Sequence, residues 1–227
     1  LLTALSLIDR VTIKRLLSLS LVTALQLWTN HPQVAYYTWM CIGFYYVWFL
    51  SSCISRNIFS IKKSINPLFG LIIAIVISLF MVSDPYIDIY KFQEHSNRGS
   101  TSVLDQSGQT KSGTKWEYAT QWSFHPKEIV SFIYPYYYGL QNSSDLDKGA
   151  YWGFMPFTQS THYVGLVILF FAILGALLKR PEESALILWI ITILIIMTGF
   201  GSYFSILYKP FFSFLPFFSK FRIPSMI

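Results

Sequence analysis

Two pairs of residues have side chains suited to binding or acid–base chemistry. His31 and Gln33 open an apolar segment, where an imidazole and an amide could hydrogen-bond sugar or phosphate oxygens. The alternative is that they belong to the cap and first turn of a helix that begins there. His125 and Glu128 stand in an aromatic stretch, where Glu128 could act as a general base or bind a substrate. Because Pro126 favours the first position of a helix, Glu128 could equally be a capping residue in its first turn.

A cation near the end of the sequence, Arg222, is suited to phosphate binding. The segment 203–221 before it contains nine aromatic residues and is interrupted by Pro210 and Pro216, which predicts short interfacial pieces rather than one long helix. Such pieces would bring Arg222 to the depth of lipid phosphates, where a guanidinium can form two parallel hydrogen bonds. The alternative is that Arg222 extends to ordinary phospholipid headgroups.

Neither metal nor disulfide chemistry is indicated. Cys41 and Cys53 fall in one apolar segment, and a helical separation of twelve positions would place them about 18 Å apart, too far for a disulfide. The His, Cys, Asp and Glu residues match no metal-ligand spacing. The sequence therefore predicts no metal and no cofactor.

The composition excludes an ordinary soluble protein. Of the 227 residues, 53% are hydrophobic and only 12% are charged, and the mean hydropathy is +0.46. A water-soluble fold would have too few polar side chains to cover its surface, and a disordered chain would not be this apolar. The surplus apolar surface must face lipid.

Five apolar segments are candidates for membrane spans, judged against a requirement of about 17–25 residues. The first is short unless its helix extends back through Val11 and Ile13. The predicted fold is an all-α, polytopic transmembrane helical bundle with a large external loop that bears short interfacial helices. The segments are 16–28, 34–50 running on to 54, 66–83, 161–178 and 185–201.

Basic residues orient these segments. If the segments alternate, three basic clusters fall on one side of the membrane, which is the positive-inside pattern of a cytoplasmic face. The net charge of +6 then reflects topology rather than nucleic-acid binding. The predicted regions are three membrane segments (1–83), an external loop (84–160), two transmembrane helices (161–201) and an external aromatic tail (202–227). The basic clusters are Arg10, Lys14 and Arg15; Arg56, Lys62 and Lys63; and Lys179 and Arg180.

The second half of the external loop is rich in aromatic residues, with 14 among the 48 residues of 116–163. Trp and Tyr at this density fit the membrane–water interface. They also fit a sugar-binding surface, because aromatic faces stack on the C–H faces of pyranose rings. A short helix over 126–134 is predicted to lie on the membrane within this stretch.

The sequence starts with Leu1 rather than Met, and residues 1–8 have the character of the end of a helix. We therefore expect it to be an internal portion of a longer protein.

Four separate motifs, in order and spacing, resemble the bacterial YfhO family of large membrane proteins. They are NHPQVAYY (30–37), EYATQWSFHPKEIVSFIYP (117–135), YWGFMPFTQSTHYVGL (151–166) and KFRIPSMI (220–227). That family is grouped with the type C glycosyltransferases, which transfer a sugar from a polyprenyl-phosphate carrier outside the cytoplasmic membrane.

The resemblance implies a fold with about a dozen or more spans and a principal catalytic acid in the first external loop, which would lie before Leu1. It also implies that Arg98, which lies two positions after Ser96 and directly before Gly99, could bind a ligand instead of being a solvated charge. Arg222 would then hold the phosphate of the lipid-linked sugar donor.

Three functions remain open for this multi-pass protein of the inner (cytoplasmic) membrane. The first is a membrane glycosyltransferase that uses a polyprenyl-phosphate-linked sugar and a cell-envelope polymer or lipid acceptor. The second is a transporter or flippase of lipid-linked saccharides, although the predicted spans contain no Asp, Glu, Lys or Arg. The third is a non-catalytic protein of envelope assembly.

Overall fold

The chain forms helices and irregular loops throughout the part that the structure describes. Within these residues every regular element is a helix, so the all-α prediction is confirmed for them. The chain divides into two compact units, Leu1–Ser112 and Gly113–Ile227. The computed structural model describes residues 1–29, 31–58, 60–93, 116–139, 151–155, 162–178, 183–221 and 224.

The first unit packs α1, α2, α3 and α4 around a core of mostly small and aliphatic side chains. The core residues come from all four helices, and Tyr46 of α3 adds a hydroxyl that donates to the carbonyl of Ser64 in α4. The helices are α1 (Leu2–Asp9), α2 (Ile13–Trp28), α3 (Pro32–Ser55), α4 (Ile61–Met81) and α5 (Ser83–Gln93).

Small residues bring α1, α2 and α4 close together. A β-carbon at Gly70 of α4 would lie 3.4 Å from a methyl group of Leu7 in α1. Ala74 is fully buried one turn further along α4. After another turn, the single proton of the Ser78 hydroxyl is shared between the carbonyl of Ser20 in α2, at 2.9 Å, and that of Ala74 in α4 itself, at 2.6 Å. Small side chains that let helix backbones approach are typical of helix association in membranes, where burying larger apolar groups gains little.

The joint between α1 and α2 is held by one arginine. Thr12 caps α2, since its hydroxyl accepts from the backbone N–H of Arg15 at 3.4 Å. The Arg15 guanidinium turns back to the C-terminal end of α1, where the last carbonyls lack helical partners. Arg15 therefore stabilises a helix end in addition to any role in topology. Its Nη1 donates to the carbonyls of Ser6 (2.6 Å) and Arg10 (3.1 Å) and to Asp9 Oδ2 (3.3 Å).

The second unit combines longer apolar helices with short helical turns. Residues 201–214 bend back from α8 by 115°. The elements are α6 (Trp116–Ala119), a 3₁₀ helix (Pro126–Phe132), α7 (Leu166–Leu178), α8 (Glu183–Gly199), a 3₁₀ turn (Gly201–Phe204), α9 (Ser205–Phe214) and a final 3₁₀ turn (Phe218–Lys220).

All five predicted apolar segments contain a helix, but fewer are long enough to cross a bilayer. Among the described residues, Pro32–Ser55 and Ser64–Met81 are long and apolar enough, and the bent pair Ala185–Gly199 and Gly201–Phe214 would make a third. The helix Leu166–Leu178 is apolar but short. The helix α2 extends back to Ile13 but not to Val11, and its 16 residues are too few for a span. Two or three helices can therefore span a membrane.

One local prediction needs correction, and one helix was not predicted. The helix α5 begins at Ser83, with Asp84 in its first turn, and runs into the region expected to be an external loop. The tail is broken into short pieces as predicted, but Pro210 lies inside α9. The break instead falls at Leu215–Phe217, where Phe217 adopts a left-handed φ of 63° just after Pro216.

Candidate functional site

The predicted helix after His125 is a 3₁₀ helix that begins with reciprocal capping. The backbone N–H of Lys127 donates to Nδ1 of His125 at 3.1 Å, and the backbone N–H of His125 donates to Oε2 of Glu128 at 3.4 Å. Pro126 takes the first helical position, where its missing N–H is not needed. The capping interpretation of Glu128 is thus confirmed. The neutral imidazole of His125 must carry its proton on Nε2, since Nδ1 accepts.

Glu128 does more than cap, because its side chain is only 2% exposed and binds a second segment. Its Oε1 accepts from the hydroxyl of Tyr151 and from the backbone N–H of Phe154, the latter at 3.0 Å. A buried carboxyl group is strongly penalised unless it is hydrogen-bonded, and here three donors converge on it. Glu128 therefore ties the segment 151–155 to the 3₁₀ helix.

The segment 151–155 is shaped to wrap around this carboxyl group. A β-carbon at Gly153 would overlap both the Tyr151 hydroxyl and Oε1 of Glu128, so only glycine fits there. The backbone N–H of Met155 donates back to the Tyr151 hydroxyl at 3.0 Å. Burial, and then the hydrogen bond to Glu128, raises the pKa of Tyr151 well above its ordinary value. Tyr151 thus remains a neutral donor at any physiological pH.

The same segment presents aromatic side chains at the surface. Trp152 is 63% exposed and Phe154 is 46% exposed. The Phe154 ring stacks on the His125 imidazole with centroids 3.7 Å apart, and Tyr203 meets the same imidazole edge to face at 4.6 Å. Tyr137 is about half exposed, and the centroid of its ring lies 5.8 Å from that of Trp152. We refer to His125, Tyr137, Trp152, Phe154 and Tyr203 as the aromatic shelf.

Backbone hydrogen bonds fix the start of the 3₁₀ helix to the end of α8. The N–H of Phe124 donates to the carbonyl of Gly199 at 2.9 Å, and the N–H of Ser202 donates to the hydroxyl of Ser123 at 2.9 Å. Gly201 has φ +50°, and a β-carbon there would overlap the Ser123 hydroxyl. Glycine is therefore required at the bend after α8.

No family model matches the chain, and no curated protein or solved structure shows significant similarity to it.

The structure brings together His125 and Glu128, two of the residues expected to do chemistry. His31 and Gln33 lie in the first unit, at the start of α3. His31 is the N-cap, but its imidazole makes no capping hydrogen bond, and Gln33 donates to the Tyr37 hydroxyl at 2.9 Å. Arg98 and Arg222 lie outside the described residues, so their binding roles stay predictions.

Sequence reasoning missed Tyr151, Gly153 and Tyr203 as parts of the site. The first two carry a local signal, because a glycine two positions after a tyrosine within an aromatic run marks a tight turn. Tyr203 has no such signal, since its contact with His125 depends on the bend at Gly201. Within the described ranges, no three His, Cys, Asp or Glu side chains are grouped so that they could hold a metal ion.

Proposed function

We propose that this chain is part of a multi-pass, inner-membrane glycosyltransferase of the YfhO type. It would transfer a sugar from a polyprenyl-phosphate-linked donor to a cell-envelope acceptor on the outer face of the membrane. The observation that carries the proposal is the aromatic shelf, whose rings are held by a buried and fully hydrogen-bonded carboxyl group. The four motifs that resemble the YfhO family support it, and two of them, 117–135 and 151–166, supply three of the five shelf residues.

The fixed geometry of the shelf favours a sugar over lipid as its partner. An aromatic belt at the membrane interface needs no fixed backbone, because lipids impose no register on it. A pyranose ring does need one, since its C–H face must stack on a ring while its hydroxyls meet donors at the edge. The Trp152 ring provides the stacking face, and the Tyr137 hydroxyl and His125 Nε2 provide polar groups.

In this proposal Glu128 is a positioning residue and not the catalytic base. Three donors already occupy its two oxygens, and a side chain that is 2% exposed offers no open path to a substrate. The five predicted segments would all be spans, oriented with their basic clusters in the cytoplasm. The shelf and the tail would then face outward, where lipid-linked sugars are used.

Sugar transfer by the full-length protein in lipid vesicles tests the proposal directly. The donor is a radiolabelled polyprenyl-phosphate sugar, and transfer to envelope acceptor is measured for the parent, Trp152→Ala and Trp152→Phe. We expect Trp152→Ala to raise the KM about 3- to 10-fold, the range of one lost aromatic contact, while Trp152→Phe keeps most of the affinity. Tyr136→Ala removes an exposed ring outside the shelf and serves as the matched control.

Other results would reject the proposal. Movement of the labelled lipid across the bilayer without sugar transfer would identify a flippase. If the protein is present at normal abundance but neither transfers the sugar nor moves the lipid, it would instead be a protein of envelope assembly.

A further inference from the structure

The helix α9 has an exposed face of mixed chemistry. Its outward positions recur every three or four residues, and the opposite side is closed by the fully buried Tyr208. Ile206 and Phe214 are 83% and 86% exposed, at the two ends of this face. A face turned to water would not carry such side chains, and one turned to the hydrocarbon core would not carry a lysine. The exposed positions are Ile206, Lys209, Pro210, Ser213 and Phe214.

The preceding helix is nearly long enough to cross the membrane without α9. The 17 residues of α8 extend about 25 Å, close to the thickness of the hydrocarbon layer. Because residues 201–214 turn back by 115°, they would lie within about 25° of the membrane plane when α8 stands upright. Gly201 fixes this bend, since its φ of +50° and its contact with Ser123 exclude a side chain.

The charge along the stretch of sequence that contains α9 is of one sign. Residues 200–227 contain three basic and no acidic residues. Lys220 lies over the Phe217 ring, with its Nζ 5.8 Å from the centroid, whereas Lys209 is exposed on the mixed face. An amphipathic helix with apolar anchors and an outward lysine is suited to a membrane surface with negative headgroups.

We propose that α9 is an in-plane helix that binds the phosphate groups of anionic phospholipids through Lys209, with Ile206 and Phe214 inserted beside the acyl chains. The binding surface is the face defined above, and its partner is lipid, not a saccharide. This role depends on α8 crossing the membrane and does not require the proposed sugar transfer.

The depth of two labels on α9 tests its orientation. Ile206→Cys and Ser213→Cys are made in the full-length protein with Cys41 and Cys53 replaced by alanine, labelled with a fluorophore and reconstituted in vesicles. Quenchers at the headgroup and at the acyl chain then report depth, and Ile193→Cys in the middle of α8 provides the deep control. We expect both α9 labels near the boundary between the headgroups and the acyl chains, within about 5 Å of each other in depth, whereas a helix that continued across the bilayer would separate them by about 10 Å.

The second measurement concerns the lipid phosphate. Quenching of the Ser213→Cys label by spin-labelled phosphatidylglycerol is compared with quenching by spin-labelled phosphatidylcholine. We expect about fivefold enrichment of the anionic lipid, retained in Lys209→Arg and lost in Lys209→Gln. A depth difference near 10 Å, labels that no lipid quencher reaches, or an enrichment that Lys209→Gln leaves intact would overturn the proposal.

Discussion

The first unit is held together by small side chains, whereas the described part of the second is held by aromatic rings around a buried carboxyl group. In the first, Ala, Gly and Ser let the helices approach, and a serine hydroxyl bonds to a carbonyl that already belongs to a helix. In the second, Trp116 meets Tyr208 edge to face at 5.7 Å, and Glu128 joins segments 23 to 26 residues apart.

The two units should therefore differ in how much stability a single substitution removes. Small-residue packing is tolerant, because each contact contributes little and the helices are independently stable. A buried carboxyl group is intolerant, because its removal leaves several donors without partners at once. We therefore expect single substitutions to have larger effects around Glu128 than between α2 and α4.

The largest effect is expected for Glu128→Ala. It would leave the Tyr151 hydroxyl and the Phe154 N–H without their acceptor, which should lower the stability of the second unit by about 3 kcal/mol. Thermal unfolding of the purified protein in detergent, followed by aromatic circular dichroism, measures the loss. Glu128→Gln keeps one acceptor oxygen and should fall between the parent and Glu128→Ala. Parental stability in Glu128→Ala would show that the three hydrogen bonds do not hold the shelf.

Replacing a glycine by alanine in each unit compares their stabilities through the addition of one methyl group. Gly153→Ala places a methyl group on the Tyr151 and Glu128 side chains, so we expect a loss of about 1–3 kcal/mol. Gly43→Ala in α3 meets nothing within 4 Å and should instead raise stability by about 0.5–1 kcal/mol. The same thermal measurement applies to both variants. Equal changes in stability at the two positions would show that the two units respond alike to an added methyl group.

The raised pKa of Tyr151 gives a pH dependence with a definite sign. A tyrosine whose folded pKa lies above its unfolded value of about 10 contributes stability that is complete below pH 10 and is lost as the pH rises further. The parent should therefore be more stable than Tyr151→Phe at pH 8, and the difference should shrink between pH 10 and 11.5. The difference between the variants isolates Tyr151 from the other tyrosines. A constant difference would mean that the hydroxyl is solvated in the folded protein.

The smallest effect is expected for Ser78→Ala. Its hydroxyl proton is shared between the carbonyls of Ser20 in α2 (2.9 Å) and Ala74 in α4 (2.6 Å), and hydrogen bonds between membrane helices contribute about 0.6 kcal/mol on average. Ser51→Ala is the control, because its hydroxyl bonds only within α3 and is exposed. The free energies of unfolding of the two variants are compared in mixed micelles. A loss above 2 kcal/mol for Ser78→Ala would make this contact as important as those of Glu128.

The sequence predicted the elements of the fold better than their contacts. Apolar runs located five helices because burial in lipid demands continuous hydrophobicity. The helix α5 was missed because Asp84, Pro85 and Asp88 interrupt its apolar pattern. The cap at Glu128 was predictable because it involves neighbours in the chain. Its bond to Tyr151 joins residues that are distant in the sequence, and Gly153 is the one local sign of it.

Helix α7 has no buried residue within the described chain. Leu169, Ala172 and Leu174 are half-buried and the other positions of α7 are exposed there, so most positions are constrained by hydrophobicity rather than by volume. In saturation mutagenesis, nearly every α7 position should tolerate any aliphatic or aromatic residue. In α4, the positions that tolerate few residues should recur every three or four residues, on the face that packs against α1 and α2. Within the described residues, the order of side chains in α7 thus carries little structural information beyond its apolar character.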